Sequence, residues 1–264
     1  MRLSEKVKRL RSILRETGGV LVAYSGGIDS SVLVAVAVEE LGDRVFAVTA
    51  VSPVYPRREL ALARETAARL GVRHVELSVD HLAEIAGFAD NPPERCYICK
   101  LAMFTRLRKM ADEEGLVLCH GGHADDLLED RPGHRATIEV GARAPLAEAQ
   151  MTKPEIRELA RELGLPGADL PAMACLATRF PFGARITDEG LRQVAAAEEF
   201  LADVGFANYR ARHHGDVLRI EVPATEFLKL TDENLRARVV EFMRGLGFKH
   251  VTVDLAGYRV GGAN

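Results

Sequence analysis

The sequence predicts an α/β fold, in which a parallel sheet has helices on both faces and is followed by a smaller α+β domain. Over the first half of the 264-residue chain, apolar segments typical of buried strands alternate with segments of helical periodicity. Such alternation favours a parallel sheet, because a crossover helix then connects each strand to the next. The last third instead contains a hairpin pattern between helices. We therefore expect a first domain over residues 1–168 and a second over residues 169–264.

The predicted elements of the first domain follow from the spacing of apolar residues. Leucines and a valine recur at helical spacing over residues 3–14, so the chain opens with an amphipathic helix. Thr152 and Glu155 form a capping-box pattern, which predicts a helix over residues 152–163. The other predicted strands cover residues 20–24, 44–51, 72–79 and 116–121, and the other predicted helices cover residues 32–41, 56–70 and 96–114.

The second domain is predicted to contain two helices and three strands. The helices cover residues 187–204 and 232–246, and the strands cover residues 208–214, 217–222 and 249–255. The first two strands flank His214-Gly215-Asp216, which is typical of a hairpin turn. Residues 172–183, which precede these elements, contain proline and glycine and are predicted to form an ordered loop.

Composition and charge argue against several classes of protein. The formal net charge of −3 disfavours general nucleic-acid binding. The first residues carry charges every few positions and lack the apolar core of a signal peptide, and no apolar run approaches the roughly 20 residues that span a bilayer. We therefore expect a cytoplasmic protein without a membrane partner. Its four cysteines would then stay reduced and serve chemistry or metal binding rather than disulfides.

The first strand runs directly into a turn that predicts an anion site. The turn and the start of the next helix read Ser25-Gly26-Gly27-Ile28-Asp29-Ser30-Ser31. Glycines free the backbone, and the N–H groups at a helix start point at a negative ligand. The serine hydroxyls add donors for phosphate oxygens, whereas Asp29 is expected to hold Mg²⁺ or to orient the loop. Asp125 and Asp126 follow the fourth strand at the same edge, where they could bind Mg²⁺ or the hydroxyls of ATP.

Three cysteines are candidates for a metal site. Cys96 and Cys99 form a CxxC pair, which in a reduced protein suggests metal binding or redox chemistry. A tetrahedral zinc site would need two further ligands, and no second CxxC follows. Together with Cys175, the pair could instead hold a [4Fe–4S] cluster with one iron open. Cys119 lies within an apolar strand and is expected to be a buried core thiol.

Cys175 is also a candidate nucleophile. Arg179 is close in sequence, and a nearby cation favours the reactive thiolate. The alternative is a small apolar residue that fills space in the loop. Arg210 and Arg212 alternate on a predicted strand, where they could grip a carboxylate or a phosphate, or could form an exposed polar face. Three carboxylates on separate elements are not expected to converge on a metal ion: Glu199, Glu221 and Asp254.

Six segments distributed along the chain point to one family. They are SGGIDSS at 25–31, NPPERCYICK at 91–100, HADD at 123–126, TKPEIRELARELGLP at 152–166, ACLATRFPFGARIT at 174–187 and DLAGYR at 254–259. Together they resemble the LarE family of ATP-dependent sulfur transferases, which belongs to the PP-loop N-type ATP pyrophosphatases. The ACLATRFP segment is the most diagnostic, because many other enzymes share the phosphate loop. Small departures, such as Thr178 where serine is expected, concern individual contacts and not the class.

The resemblance implies an activity and a set of site residues. The enzyme would adenylylate the carboxylates of pyridinium-3,5-biscarboxylic acid mononucleotide and convert them to thiocarboxylates for the nickel-pincer nucleotide cofactor. By this resemblance, Cys175 bears the sulfur, and Arg179 and Arg212 contact the substrate. The implied ATP-binding residues, with Mg²⁺, are Ser25, Gly26, Gly27, Asp29, Ser30, Ser31 and Asp125.

The resemblance also offers two sources of sulfur. In one, a lone cysteine gives up its own sulfur and becomes dehydroalanine. In the other, three cysteines hold a [4Fe–4S] cluster whose open iron carries a sulfide. The presence of Cys96 and Cys99 as well as Cys175 favours the cluster. A sulfide or cysteine-derived sulfur donor and a homo-oligomeric state are further expectations from the family.

Three other functions share parts of this pattern. A tRNA thiolase of the same superfamily would need a basic RNA-binding surface, which the acidic net charge disfavours. An amide-forming or nitrile-forming ligase that uses ammonia would leave Cys175 idle. A nucleotide sensor would bind ATP without releasing pyrophosphate.

Overall fold

The computed structural model describes residues 2–128, 132–170 and 174–258, and the chain divides into two units. Unit 1 comprises Met1–Ile85 and Glu94–Met173, and unit 2 comprises Ala86–Pro93 and Ala174–Asn264. The sequence analysis expected one uninterrupted first domain up to residue 168. In the structure, the short segment Ala86–Pro93 belongs to unit 2, although unit 1 flanks it on both sides in sequence.

Unit 1 contains a four-stranded parallel sheet with helices around it. Its strands are β1 (Val20–Ala23), β2 (Val45–Val51), β3 (Arg73–Ser78) and β4 (Val117–His120). Its helices are α1 (Leu3–Thr17), α2 (Ile28–Leu41), α3 (Arg57–Leu70), α4 (His81–Glu84), α5 (Arg95–Glu113), α6 (Pro132–Glu139), α7 (Pro145–Glu148) and α8 (Lys153–Glu162). The parallel α/β class predicted from the sequence is confirmed. In the described part of the whole chain, no helix combines the length and apolar character needed to cross a membrane.

The sheet of unit 1 is covered on both faces. Val20 and Val22 of β1 point into a cluster with side chains of α1, α2, α3, α7 and α8. Leu21 of β1 points the other way, into a second cluster with Phe104 and Leu107 of α5. The alternation is the two-residue period of a strand, and burial on both faces requires a continuous apolar run. This is why the sequence of β1 is apolar throughout.

The order of the strands creates a crevice at one edge of the sheet. The order is β3-β2-β1-β4, with every neighbouring pair parallel. The chain therefore proceeds outwards from β1 to β3 and then crosses to the other side of β1 to form β4. In open parallel sheets, ligands bind beyond the carboxyl ends of the strands at such a reversal. The segments that follow β1 and β4 are thus the expected walls of a ligand site.

Unit 2 contains a small mixed sheet against helices. Its helices are α9 (Asp188–Asp203), α10 (Phe227–Thr231) and α11 (Glu233–Gly245), and its strands are β5 (Arg210–His214), β6 (Val217–Glu221) and β7 (His250–Val253). β5 and β6 form the predicted antiparallel hairpin, and β6 pairs with β7 in parallel. Leu201 of α9, Met243 of α11 and Ile220 of β6 belong to one buried cluster. The smaller α+β domain expected from the sequence is confirmed.

Candidate active site

The turn between β1 and α2 has a geometry that requires glycine at residue 26. Gly26 has a φ of 77°, a left-handed conformation that residues with a Cβ rarely adopt. A Cβ there would also lie 2.7 Å from the Cβ of Ala63 and 2.8 Å from the carbonyl oxygen of Glu59 in α3. Gly27 caps α2 with an extended backbone. The N–H groups of the first turn of α2 are consequently available to a ligand at the end of β1.

Serine hydroxyls brace this turn. Ser30 Oγ donates to the Gly27 carbonyl at 3.0 Å and lies 3.2 Å from Ser25 Oγ. Ser31 Oγ donates to the Gly26 carbonyl at 3.4 Å. Ser30 and Ser31 are 4% and 1% exposed, whereas Ser25 is exposed. The hydroxyls of Ser30 and Ser31 therefore hold the loop in shape, and contact of the three serines with phosphate stays a prediction.

The chain that follows β4 meets the start of α2. A Cβ at Gly121 would lie 2.8 Å from the backbone nitrogen of Ser30, so the two segments approach as closely as a glycine allows. His120, at the end of β4, is in register with Ala23, at the end of β1. The turn after β1 and the loop after β4 thus share one edge of the sheet.

Lys153, the first residue of α8, joins the two carboxylates expected at this edge. Its Nζ donates to both carboxylate oxygens of Asp29 at 2.6 Å, and its backbone N–H donates to Asp125 Oδ2 at 2.7 Å. The side chains of Asp29 and Lys153 are 26% and 27% exposed, so a ligand can reach both. Both carboxylates are predicted from the sequence as site residues, whereas Lys153 is not. The confirmed capping box of Thr152 and Glu155 was the available signal, because it fixes the start of α8.

The same carboxylates fit a magnesium ion that is bound together with nucleotide phosphates. Mg²⁺ in such sites takes one or two carboxylates, and phosphates and water supply the other oxygens. That Asp29 and Asp125 supply these carboxylates stays a prediction. Among the residues that the structure describes, no group of three or more His, Cys, Asp or Glu could hold a metal ion by itself. The ammonium group of Lys153 neutralises Asp29, so a cation and Lys153 would compete for this carboxylate.

His120 places a neutral imidazole beside this edge. Its Nδ1 accepts the Gly122 N–H at 3.1 Å, and its ring packs edge-on against Phe104 with centroids 5.7 Å apart. Burial, with smaller contributions from the positive charges of Lys100 and His134, lowers the pKa of His120 to about 4. Since Nδ1 accepts a hydrogen bond, the ring proton is on Nε2.

The cysteines of unit 1 have contrasting environments. Cys96 is exposed and Cys99 is partly buried in the first turn of α5, at positions i and i+3 that are neighbours on a helix surface. Cys119 lies in the core, where burial raises the pKa of its thiol to about 12, as expected for an inert thiol. Ligation of an iron–sulfur cluster by Cys96 and Cys99 stays a prediction. In the part of the chain that the structure describes, Cys96, Cys99 and Cys175 do not form a group that could hold a metal ion.

Cys175 lies at the start of a tight turn in unit 2. It immediately precedes a 3₁₀ turn over Leu176–Arg179. The Cys175 carbonyl accepts the Thr178 N–H at 3.0 Å and the Thr178 hydroxyl at 2.8 Å. Leu176 is buried and Cys175 partly so. These contacts fix the backbone of the cysteine that was predicted to carry the sulfur.

The two arginines expected to contact the substrate each bind a carboxylate in this structure, and their contact with the substrate stays a prediction. Arg179 is fully buried, and its Nε and Nη2 donate to Glu198 at 2.6 and 2.8 Å. Arg212 donates to Glu221 at 2.9 and 3.0 Å, and its Nη1 donates to the Thr178 carbonyl at 2.7 Å. Both pairs are bidentate, the strongest geometry for an arginine and a carboxylate. They attach the turn that contains Cys175 to α9 and β5.

Of the three C-terminal carboxylates considered as metal ligands, Glu221 and Asp254 lie beside Arg219, and Glu199 lies on α9. Glu221 also accepts from Arg219 Nη2 at 3.1 Å, and Asp254 Oδ2 lies 3.5 Å from Arg219 Nε. Glu199 is partly buried on α9, one position after the carboxylate that binds Arg179. Glu198, which the sequence analysis did not name, is thus the buried acidic residue of this helix.

Arg210 is the arginine of this hairpin for which the described residues provide no ion pair. It is 9% exposed, and it donates to the Tyr209 carbonyl at 2.7 Å and to the Tyr258 hydroxyl at 3.2 Å. Among the described residues, no carboxylate lies within ion-pair distance of it. Burial, reinforced by the positive charge of Arg179, lowers the pKa of Arg210. A carboxylate or phosphate that reached this guanidinium would compensate its charge.

Comparison with known proteins relates the whole chain to one curated enzyme. Residues 7–166 match the sequence model of the asparagine synthase family. The chain is 36% identical over 267 residues to the pyridinium-3,5-bisthiocarboxylic acid mononucleotide synthase of Lactiplantibacillus plantarum. This match covers 99% of this chain and 95% of that protein. It is 37% identical over 263 residues to an uncharacterized protein of Synechocystis, covering 99% and 98% of the two chains. A glutamine-hydrolyzing GMP synthase subunit of Methanothermobacter thermautotrophicus is 30% identical over 172 residues, covering 62% of this chain and 55% of its own.

Proposed function

The chain belongs to the LarE family of ATP-dependent sulfur transferases, and we propose that it converts the carboxylates of pyridinium-3,5-biscarboxylic acid mononucleotide to thiocarboxylates. The observation that carries this proposal is the similarity to the Lactiplantibacillus plantarum synthase along 99% of the chain. The anion-binding turn after β1 supports the activation step, and the turn that contains Cys175 supports the transfer step. ATP use agrees with the matched family.

In the proposed activation step, a carboxylate oxygen of the substrate attacks the α-phosphorus of ATP. Pyrophosphate leaves, and an acyl-adenylate forms. The first N–H groups of α2 and the ammonium of Lys153 would stabilise the negative charge on the phosphates. Asp29 and Asp125 would hold Mg²⁺, which neutralises phosphate charge when it is bound. Lys153 would then leave Asp29 and contact the nucleotide.

In the proposed transfer step, the Cys175 thiolate attacks the activated acyl carbon and AMP leaves. In the sacrificial route, the hydrogen on the Cα of Cys175 leaves the resulting thioester as a proton, and the Cβ–S bond of Cys175 breaks. The electron pair of that bond stays with sulfur, which gives a thiocarboxylate and leaves dehydroalanine at residue 175. This route needs no further reactant, and each protein molecule donates one sulfur atom.

The cluster route, favoured by the sequence, stays a prediction with its own test. When bound, a [4Fe–4S] cluster would present an extra sulfide and permit repeated turnover. Cys96 and Cys99 would supply two ligands and Cys175 the third. Anaerobically purified protein should then contain iron and acid-labile sulfide, and Cys96→Ser with Cys99→Ser should remove both. Protein without iron, in which residue 175 becomes dehydroalanine after turnover, would contradict the cluster and support sacrifice of Cys175.

We also propose Arg210 as a contact for a substrate anion. The charges of Arg179 and Arg212 are already compensated by Glu198 and Glu221. Arg210 donates only to a carbonyl and a hydroxyl among its described hydrogen-bond partners, and the positive charges of Arg179 and Arg212 act on it as well as the negative charge of Glu198. A phosphate or carboxylate of the substrate therefore gains more there. Arg210→Lys should therefore raise KM for the mononucleotide while ATP binding stays unchanged. Equal KM in the two proteins would contradict this assignment.

The function is tested by product analysis. Purified protein is incubated with ATP, Mg²⁺ and the biscarboxylic mononucleotide, and thiocarboxylate is measured by mass spectrometry together with pyrophosphate. We expect both products from the native protein, and pyrophosphate without thiocarboxylate from Cys175→Ala. Formation of an amide from ammonia, without thiocarboxylate and at the same rate in Cys175→Ala, would favour the ammonia-dependent ligase. ATP binding without pyrophosphate would favour a sensor. Salt-sensitive tRNA binding would favour the tRNA thiolase.

Light scattering tests the expected homo-oligomer.

A further inference from the structure

Asn91 is a buried polar residue in an unusual backbone conformation. It is 0% exposed, and its φ is 54°. This left-handed conformation is uncommon for a residue with a Cβ, although asparagine tolerates it better than most. Asn91 lies in Ala86–Pro93, the short segment that belongs to unit 2. A polar side chain in such a position is expected to make specific hydrogen bonds.

The hydrogen bonds of Asn91 are made with the loop that follows Cys175. Its Nδ2 donates to the Pro181 carbonyl at 2.8 Å and to the Phe180 carbonyl at 3.3 Å. Its own carbonyl accepts the Gly183 N–H at 2.9 Å. A single residue therefore satisfies two acceptors and one donor within four consecutive residues of the loop.

These bonds hold one end of the turn that contains Cys175. Phe180 immediately follows the 3₁₀ turn Leu176–Arg179, and Arg212 binds the Thr178 carbonyl within it. The turn is thus attached through Arg212 on one side and through Asn91 on the other. Loss of either attachment would let the backbone of Cys175 move relative to the substrate, and a displacement of about 1 Å can slow a reaction on the order of a hundredfold.

We propose that Asn91 is a positioning residue for sulfur transfer, which acts through the backbone of residues 180–183 on the placement of Cys175. This inference rests on the proposed function, since it assigns Cys175 to the transfer step. It predicts that Asn91 affects transfer and the reactivity of Cys175, and that it leaves ATP activation unchanged. Activation depends on the turn after β1, which belongs to the other unit.

The competing explanation is that Asn91 only forms a left-handed turn. Asn91→Gly separates the two roles, because glycine adopts a positive φ without strain but has no amide to donate. A pure turn-former would be replaced by glycine without loss. Asn91→Asp keeps the size and the turn preference, but it places a carboxylate oxygen against two carbonyl oxygens. Asp90→Ala is the matched control, since Asp90 forms an exposed ion pair with Arg185 in the same two segments.

The experiment compares the native protein with Asn91→Gly, Asn91→Asp and Asp90→Ala. Alkylation of Cys175 by iodoacetamide is followed by peptide mass spectrometry, and single-turnover thiocarboxylate formation and pyrophosphate release are measured in parallel. We expect both Asn91 variants to react with iodoacetamide about tenfold faster, because two hydrogen bonds to the loop are lost. In both Asn91 variants, the rate of thiocarboxylate formation should fall by about tenfold or more, whereas the rate of pyrophosphate release should stay near the native value. Asp90→Ala should have near-native rates in all three measurements.

Each outcome is decisive for this residue. Native alkylation and transfer rates in Asn91→Gly would overturn the proposal and leave a turn-forming role. Equal losses of transfer and pyrophosphate release would also overturn it, because they indicate general destabilisation. If Asn91→Gly does not fold, Asn91→Asp provides the same comparison. Absence of thiocarboxylate from the native protein would contradict the proposed function itself, and the alkylation rates would still test the attachment of the loop by Asn91.

Discussion

The buried pair of Arg179 and Glu198 gives a quantitative test of what holds the turn of Cys175. The change is Glu198→Gln, which preserves the shape of the side chain and removes its charge. Glu198 accepts two hydrogen bonds from Arg179 and a third from the Ala211 N–H at 3.1 Å. The amide retains one oxygen for these three donors, and its NH₂ group faces a guanidinium that can accept nothing.

The expected cost follows from the burial of the pair. Arg179 is fully buried and Glu198 is 3% exposed, so solvent cannot compensate the unpaired guanidinium. Breaking a buried ion pair by removing one partner costs about 3–5 kcal/mol. For a chain of this size, each kcal/mol lowers the melting temperature by about 2–4 °C. We therefore expect Glu198→Gln to melt about 6–20 °C below the native protein.

The assays are thermal unfolding, which gives the melting temperature, and urea unfolding, which gives the free energy of unfolding, both followed by circular dichroism. Glu76→Gln is the matched control, because Glu76 makes a bidentate pair with Arg64 on the surface, where such pairs contribute at most about 1 kcal/mol. The double variant Arg179→Met with Glu198→Leu should recover most of the lost stability, since neither of these two positions then holds a buried charge. A loss below about 1 kcal/mol for Glu198→Gln would refute this reasoning.

Three further predictions concern the edge of the sheet in unit 1. Lys153→Met should lower the rate of pyrophosphate release about a hundredfold, because the ammonium beside Asp29 is lost. Lys153→Arg keeps a positive charge and should retain part of the native rate. A phosphate-release assay with coupled pyrophosphatase measures the rates of both variants. Gly121→Ala should weaken ATP binding about tenfold in calorimetry, because its Cβ would collide with the backbone of Ser30; unchanged affinity would show that the loop can move away. Burial lowers the pKa of His120 to about 4 in the folded protein. As the pH falls, the imidazole of residue 120 is therefore protonated in the unfolded chain before it is protonated in the folded protein. The free energy of unfolding should therefore drop by up to about 3 kcal/mol between pH 6.5 and 4. His120→Asn should lack this contribution in urea unfolding at the two pH values, and an identical pH dependence would contradict it.

The elements with local signals could be predicted from the sequence. The capping box of Thr152 and Glu155 and the cap at Thr187 both start helices where expected. The glycines after β1 predicted a tight turn there, because their conformational demand is local, and anion binding at this turn stays a prediction. α4 and α7 have four residues each, too few for a helical period to be visible in the sequence.

The contacts that define the site are long-range and could not be predicted. Lys153 and Asp29 are 124 positions apart, so no local pattern connects them. On β5 and β6, Arg210 is in register with Glu221, yet Glu221 binds Arg212 diagonally. Register alone would have paired the carboxylate with Arg210. The choice depends on side-chain direction and burial, which the alternation of residues on a strand does not specify.

The assignment of Ala86–Pro93 to unit 2 has a consequence for the order in which the protein can mature during synthesis. This segment emerges from the ribosome about 80 residues before Ala174, where the rest of unit 2 begins. At about 5–20 residues per second, the delay is roughly 4–16 s. Throughout that interval Asn91 has no Phe180 or Pro181 carbonyl to bind. The segment therefore lacks these hydrogen bonds on the nascent chain until residues 180–183 have been synthesised, and unit 2 can form only after that point.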